Sequence, residues 1–438
     1  RDWSVTGVQT CALPIFALWQ CENALPRLTE KPEFYALLAE QYQLGGQVEP
    51  ALATYAEAAR NRYGRGLHKE AVLLIDRALG LAGQVPRTVA LPLTSQLWTL
   101  RGQALNALGR FEEASAASRS ALMLLRELPD GESTEMRVRA ARSLGSAYRS
   151  LGRYDEAALV LNEAYEALLG DDDPLLASVL RAFGTLCLYQ GRLSDSLAYQ
   201  QRAYQQAIQA NDQTQITATM TQLGQIALER GNLATALGYF EQVLEINYAR
   251  GYAHYQAQDL RSIGMVYRAL HAEARALTVL EEARMLQESI GFEDPITEAL
   301  SGVCLIALGQ PEAGLQALHG AAERGHQDVH SARLLQLTQI EGLYLAHDIL
   351  AAHERALILA HEMKDRNPLL HGRALYFAGL CALALGDPGA QSMLQQALDL
   401  ELEYGGRDAW RVYEALARAV SDPGERDQHR RSAAAIIQ

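Results

Sequence analysis

His326 and His330 stand in the string HQDVH, and their i, i+4 spacing places two imidazoles on one helical face, where they can hold a metal ion. No third ligand stands near them, so solvated surface histidines are the expectation. His361 and Glu362 open a HExx string that closes on Asp365 and not on histidine, which removes the zinc-protease arrangement. Asp171, Asp172 and Asp173 precede Pro174 and suit a loop leading into a helix better than a calcium site. The cysteines Cys11, Cys21, Cys187, Cys304 and Cys381 form no CxxC pair. The last three fall on or beside apolar helical faces, where a thiol packs as a small hydrophobe in a reducing compartment. The sequence holds no GxxxxGK[ST], no GxGxxG behind a strand pattern and no GxSxG elbow. The expectation is therefore no catalysis, no cofactor and no metal.

The elements that carry these residues are helical. Alanine and leucine dominate and proline is sparse, the mix that long helical arrays favour. A net charge of −13 gives no bulk attraction to phosphate backbones or anionic lipid, which argues against nucleic-acid and membrane partners. No stretch reads as the ~18 apolar residues a membrane span needs. Lys31, Lys69 and Lys364 are the only lysines, so nearly all positive charge is arginine, whose planar fork suits carboxylates. Residues 5–15 (VTGVQTCALPI) resemble a translated short-read sequencing adapter. Residues 1–15 are set aside as a non-native segment, and the chain is expected to be a bacterial, environmentally sequenced fragment of a longer protein.

A unit of about forty residues then repeats. Its first marker is a small residue midway along a helix: Gly102, Gly145, Gly184, Gly224, Gly264, Gly302 and, one unit skipped, Gly379. Glycine costs ~1 kcal/mol there relative to alanine, so it belongs where a neighbouring helix must come close. Seven residues on stands a helix-closing residue, Gly109, Gly152, Gly191, Gly231, His271, Gly309 and Gly386, suited to a left-handed C-terminus. Five further on, Ala114, Ala157, Ser196, Ala236, Ala276 and Gly314 let a second helix press on the first. Leu180, Phe183 and Cys187, with their equivalents in other units, form one apolar stripe, which reads as core. Two places depart from the pattern. Only one new helix fits residues 61–82, and residues 329–361 carry Ile340 and His347 where the glycines should stand.

LGRFEEA (108–114) and LGRYDEA (151–157) resemble the tetratricopeptide repeat consensus. The resemblance runs from residue 33 to the C-terminus and is closest over 97–285. It implies an all-α, right-handed superhelical solenoid of about ten helix hairpins. Residues 16–92 would hold leading repeats with one irregular unit, 93–290 well-formed repeats, 291–405 degenerate repeats and 406–438 the capping helices.

In this family the free face of each hairpin's first helix lines an inner groove. The corresponding stripe includes Arg142, Ser146 and Arg149, then Arg181 and Thr185, Thr221 and Gln225, and Arg261 and Arg268. These nine are the candidate ligand-binding residues, a basic track for an acidic or carboxylate-bearing protein or peptide. The competing expectation is that the arginines pair with acids of neighbouring repeats. The resemblance further implies a cytoplasmic protein-interaction or ligand-sensing scaffold, the C-terminal sensor part of a larger AAA/STAND-type signalling ATPase or transcriptional regulator. The opening at 34–79 looks like the junction after such an ATPase. A freestanding adaptor that assembles complexes is the alternative.

Overall fold

A computed structural model of the chain describes residues 34–168, 173 and 175–437. The segment 1–15, Cys11, Cys21, Lys31, Asp171, Asp172 and Pro174 lie outside the described residues. Asp173 is described, and its carboxylate accepts the backbone N–H of Leu175 at 2.8 Å, as a loop leading into a helix requires. Among the described residues the fold is all-α, with no strand. The chain forms two compact units that divide between residues 170 and 171, inside the span read as uniform well-formed repeats.

The first unit contains α1 (Tyr35–Leu44), α2 (Val48–Gly64), α3 (His68–Leu81), a 3-10 turn (Ala82–Gln84), α4 (Arg87–Ala107), α5 (Phe111–Leu125), α6 (Asp130–Ser150) and α7 (Tyr154–Glu166). Consecutive helices pack as antiparallel hairpins, and α3 is the one new helix in 61–82. Arg110 and Arg153, just before α5 and α7, pair with Glu113 and Glu156 in the first turns, where acids also favour the helix dipole.

The second unit contains seven hairpins: α8 (Leu176–Tyr189) with α9 (Leu193–Gln209), α10 (Gln213–Glu229) with α11 (Leu233–Arg250), α12 (Ala253–Ala269) with α13 (Glu273–Ser289), α14 (Pro295–Ala307) with α15 (Pro311–Arg324), α16 (Val329–Leu345) with α17 (Ile349–Met363), α18 (Pro368–Leu385) with α19 (Ala390–Tyr404), and α20 (Ala409–Ala419) with α21 (Pro423–Ile437). First helices of neighbouring hairpins also touch each other, as α14 does α16, so they form one layer of the unit. The last of these helices, α21, is polar.

The two markers do what their chemistry predicts. A Cβ on Gly145 would sit 3.0 Å from Leu161, on Gly224 2.8 Å from Phe240, and on Gly264 2.7 Å from Leu280. In each case the neighbour lies sixteen positions on, in the hairpin's second helix. The second marker is left-handed throughout, even where it is not glycine: His271 has φ 54° and His347 φ 64°. A side chain in that conformation costs ~1–2 kcal/mol, so the hairpin geometry overrides local preference at both histidines. In the irregular α16, Gly342 makes the close approach two residues after Ile340, and its contact is Leu318 of the preceding hairpin.

The apolar stripe is core: Leu180, Phe183 and Cys187, like Leu260 and Ile263, are buried. Burial pushes the thiols of Cys304 and Cys381 up to about 11, which keeps them as unreactive packing groups. One expectation needs correction. The helix α18 is 18 residues long with a mean hydropathy of 1.3, enough by length and composition to cross a membrane. Arg373 and His371 mask the run when the sequence is read for uninterrupted apolarity. That 61% of it is buried within the second unit marks it as a core helix.

Candidate functional site

The second unit closes on itself around a cavity of about 200 Å3, lined mainly from α8, α10, α12, α14, α16, α18 and α20, with Leu193 of α9 and Phe240 of α11. Repeat arrays ordinarily join only neighbours, but here α8 and α10 meet α16, α18 and α20 directly. Asn367, the N-cap of α18, donates Nδ2 to the carbonyl of Tyr189 at 2.9 Å. The Tyr189 and His330 rings stack with centroids 4.2 Å apart. Leu369 packs with Leu188, Leu193 and Ile226. Gly191 and Gly231, the left-handed residues ending α8 and α10, receive this contact: a Cβ would lie 2.7 Å from Asn367 and 3.3 Å from Arg407 respectively.

A charged cluster closes the same seam. Arg373, 7% exposed along its side chain, lies 2.6 Å from Glu229, 3.1 Å from Asp408 and 3.8 Å from Glu401. Arg407 reaches both Glu229 at 3.6 Å and Asp408 at 3.7 Å. Arg411 approaches Asp408 at 3.5 Å and the His271 ring at 3.2 Å. Burial works against ionisation of Glu229, but Arg373 and Arg407 more than offset it and hold the carboxyl below its usual range. Asp408 is held low in the same way by Arg407, Arg373 and Arg411. Glu401 lies deeper, and burial pushes it up to about 7. The cavity wall therefore carries five arginines, Arg261, Arg268, Arg373, Arg407 and Arg411, against the carboxylates Glu229, Glu341 and Asp408. Its remaining wall is largely apolar, with Leu228, Leu334 and Phe377.

All nine residues of the expected track are half-buried. Arg142, Ser146 and Arg149 lie on α6 in the first unit, where Arg149 donates to Ser146 at 3.3 Å. Arg181 and Thr185 lie on α8 and bond Gln215 and Gln222 of α10 at 3.1 and 3.3 Å. Thr221 bonds back to Thr217 at 3.2 Å. Gln225, Arg261 and Arg268 line the cavity. Acids of later repeats do engage both of these arginines: Arg261 pairs with buried Asp294 of the next hairpin at 2.5 Å, and Arg268 with Glu341, two hairpins on, at 2.7 Å. Arg261 holds Asp294 low despite burial that would raise it. The residues missed from sequence are Glu229, Arg373, Arg407, Asp408 and Arg411. They meet only because the unit closes, and no local spacing signals that. A partial signal existed in Tyr376, which stands three before Gly379, in register with the stripe, and also lines the cavity.

His326 and His330 are not brought together as ligands: His326 accepts the Asp328 N–H at 3.1 Å while His330 stacks on Tyr189. Among the described residues no group of three His, Cys, Asp or Glu side chains could hold a metal ion.

The tetratricopeptide repeat family model matches residues 93–169. Among curated proteins none matches at a significant level. Similar solved structures include a tetratricopeptide repeat protein from Parabacteroides merdae, 17% identical, with a TM-score of 0.41, covering 66% of this chain and 98% of its own. A STAND signal-transduction ATPase with a tetratricopeptide repeat sensor from Pyrococcus horikoshii is 13% identical, with a TM-score of 0.47, over 80% of this chain and 53% of its own. A Rap protein in complex with competence and sporulation factor is 10% identical, with a TM-score of 0.49, over 88% and 99%. The assignment rests on the family match and on the helices themselves. Repeats of this family are protein-interaction scaffolds and generally not enzymes. Among its described residues the chain is an all-helical repeat protein, and its residues 93–169 match the tetratricopeptide repeat family model.

Proposed function

We propose that the chain is a cytoplasmic scaffold that captures an acidic protein segment on the first-helix faces of its hairpins. In its parent it would serve as the C-terminal sensor of a larger bacterial signalling ATPase or transcriptional regulator. The observation that carries this reading is the convergence of Arg261, Arg268, Arg373, Arg407 and Arg411 on one cavity of a chain with net charge −13. Desolvated guanidinium groups recognise carboxylates through charge-assisted, often paired hydrogen bonds, stronger than those to neutral groups. Arg142, Ser146 and Arg149 on α6, and Arg181, Thr185, Thr221 and Gln225 on α8 and α10, are assigned to the same role along their own units. The parent assignment draws on the resemblance of 34–79 to a post-ATPase junction.

The test is capture of a biotinylated glutamate-rich decapeptide, with its glutamine counterpart as control. The combined Arg142→Glu, Arg181→Glu and Arg261→Glu variant is expected to lose capture while keeping its helical circular dichroism. Capture that is unaltered in this variant would remove the basic track from the function. Sequencing upstream of the reading frame tests the parent: a phosphate-binding loop motif there supports the signalling ATPase, and a nearby start codon supports the adaptor.

A further inference from the structure

Glu229 is the last residue of α10, a position where the helix dipole disfavours an acid. It is also largely withdrawn from water, its side chain 18% exposed. Nothing local rewards a carboxylate there. What holds it is the far side of the unit, where Arg373 lies 2.6 Å and Arg407 3.6 Å away.

The engagement is incomplete. Arg373 is buried and lines the cavity, and its Nη2 faces Glu229 while its Nε faces Asp408, so no single carboxylate spans both nitrogens. The paired fork that a guanidinium makes with a well-placed carboxylate is therefore not formed. Releasing Glu229 would not strand Arg373, since Asp408 at 3.1 Å and Glu401 at 3.8 Å remain. That redundancy matters, because a buried charge left wholly unpaired is strongly destabilising. The cavity of about 200 Å3 has room for an acidic side chain.

We propose that Glu229 is an internal surrogate for the partner's carboxylate. Without a partner it occupies Arg373 and Arg407 and holds the second unit shut. An acidic side chain of the partner displaces it, takes its place on Arg373, and loosens the seam where α10 meets α18 and α20. The proposal rests on the reading above that the inner face takes an acidic segment. A competitor built into the site scales apparent affinity down by the fraction of molecules that are open.

The experiment measures binding of a fluorescein-labelled hexaglutamate peptide to the full chain and to Glu229→Gln, with hexaglutamine and free glutarate as controls. Glutamine is isosteric and can still accept from Arg373, so the fold is retained. The variant is expected to bind hexaglutamate on the order of tenfold more tightly. Glutarate competing as well as the peptide would assign the site to small acids and overturn the peptide source. A second readout needs no variant: saturating peptide should speed amide exchange at 186–191 and 367–371 in the wild-type chain. Equal or weaker binding by Glu229→Gln, or unchanged exchange on wild-type binding, overturns the surrogate while leaving the scaffold reading intact. Failure of both proteins to bind hexaglutamate overturns the scaffold reading and the surrogate with it.

Discussion

Asn367 binds the end of one helix and the start of another, 178 residues apart: its Nδ2 donates to the Tyr189 carbonyl while its Oδ1 accepts the Leu370 N–H at 3.0 Å. One side chain thus caps α18 and ties it to α8. Asn367→Ala should cost about 1–3 kcal/mol, the sum of a lost cap and a lost buried hydrogen bond. Asn367→Ser keeps a cap acceptor but cannot reach Tyr189, and should cost roughly half as much. Urea unfolding midpoints of the two variants check this, and equal midpoints would dissolve the link between α8 and α18.

Gly191 and Gly309 share a left-handed backbone, with φ of 74° and 84°. They differ in surroundings: a Cβ on Gly191 meets Asn367 at 2.7 Å, while one on Gly309 meets nothing within 4 Å. Alanine at Gly309 should cost only the conformational strain, about 1–2 kcal/mol. Alanine at Gly191 should cost that and a further ~1 kcal/mol or more from overpacking at the seam. The comparison isolates the seam from the backbone, and thermal melts of the two variants read it directly.

Gly302 and Gly80 test the repeat register. A Cβ on Gly302 would stand 2.8 Å from the Gly314 carbonyl oxygen, a backbone atom with no freedom to turn aside. Gly302→Ala should destabilise by about 1–3 kcal/mol. Gly80 lies in α3 with nothing within 4 Å and an ordinary helical conformation. Gly80→Ala should stabilise by ~0.4–1 kcal/mol through helix propensity and chain entropy. Two glycines in helices thus carry opposite signs, and denaturant titration of each settles whether the first marker is a packing position.

Asp259 gives a pH dependence with a definite direction. Burial lifts its carboxyl from 3.8 to about 7, with only the Asn247 amide at 2.6 Å and the charge of Arg261 favouring ionisation. The folded state therefore holds the proton more tightly than the unfolded state. Stability from this group falls as pH rises from about 4 through about 7, and is flat above. Asp259→Asn should match the wild type at pH 4 and exceed it by about 2–4 kcal/mol at pH 8. Urea midpoints at pH 4, 6 and 8 decide it, and parallel wild-type and variant curves would place the charge burden elsewhere.

The hairpins were legible in the sequence because each is a local event. A glycine at 145 and its contact at 161, or the turn at Gly152, depends on residues within one repeat. The same locality made the histidines at 271 and 347 readable as stand-ins for glycine. The cavity was only half legible, for a related reason. Gln225, Arg261 and Arg268 share a helical face that spacing identifies, but Arg373 sits six residues before Gly379, one turn beyond the positions that define the stripe. Its partner Glu229 is chosen by how far the hairpins wind, a small rotation accumulated over several repeats that no single spacing encodes. The division between residues 170 and 171 escaped for the opposite reason. The repeat pattern runs across it without a change of composition.

The bond from Asn367 to Tyr189 also changes how the second unit comes apart. An open array of hairpins melts from its ends, since each repeat is stabilised only by its neighbours. Fastening α8 to α18 removes that freedom for the hairpins between them, which then gain or lose their structure together. Their transition should be steep and all-or-none across roughly five repeats, where an open array would unzip by degrees. Folding should be correspondingly slow, because a contact across 178 residues closes a long loop before it returns any stability. A unit built from local pieces thereby acquires, through the few side chains of one seam, the single sharp transition of a globular domain.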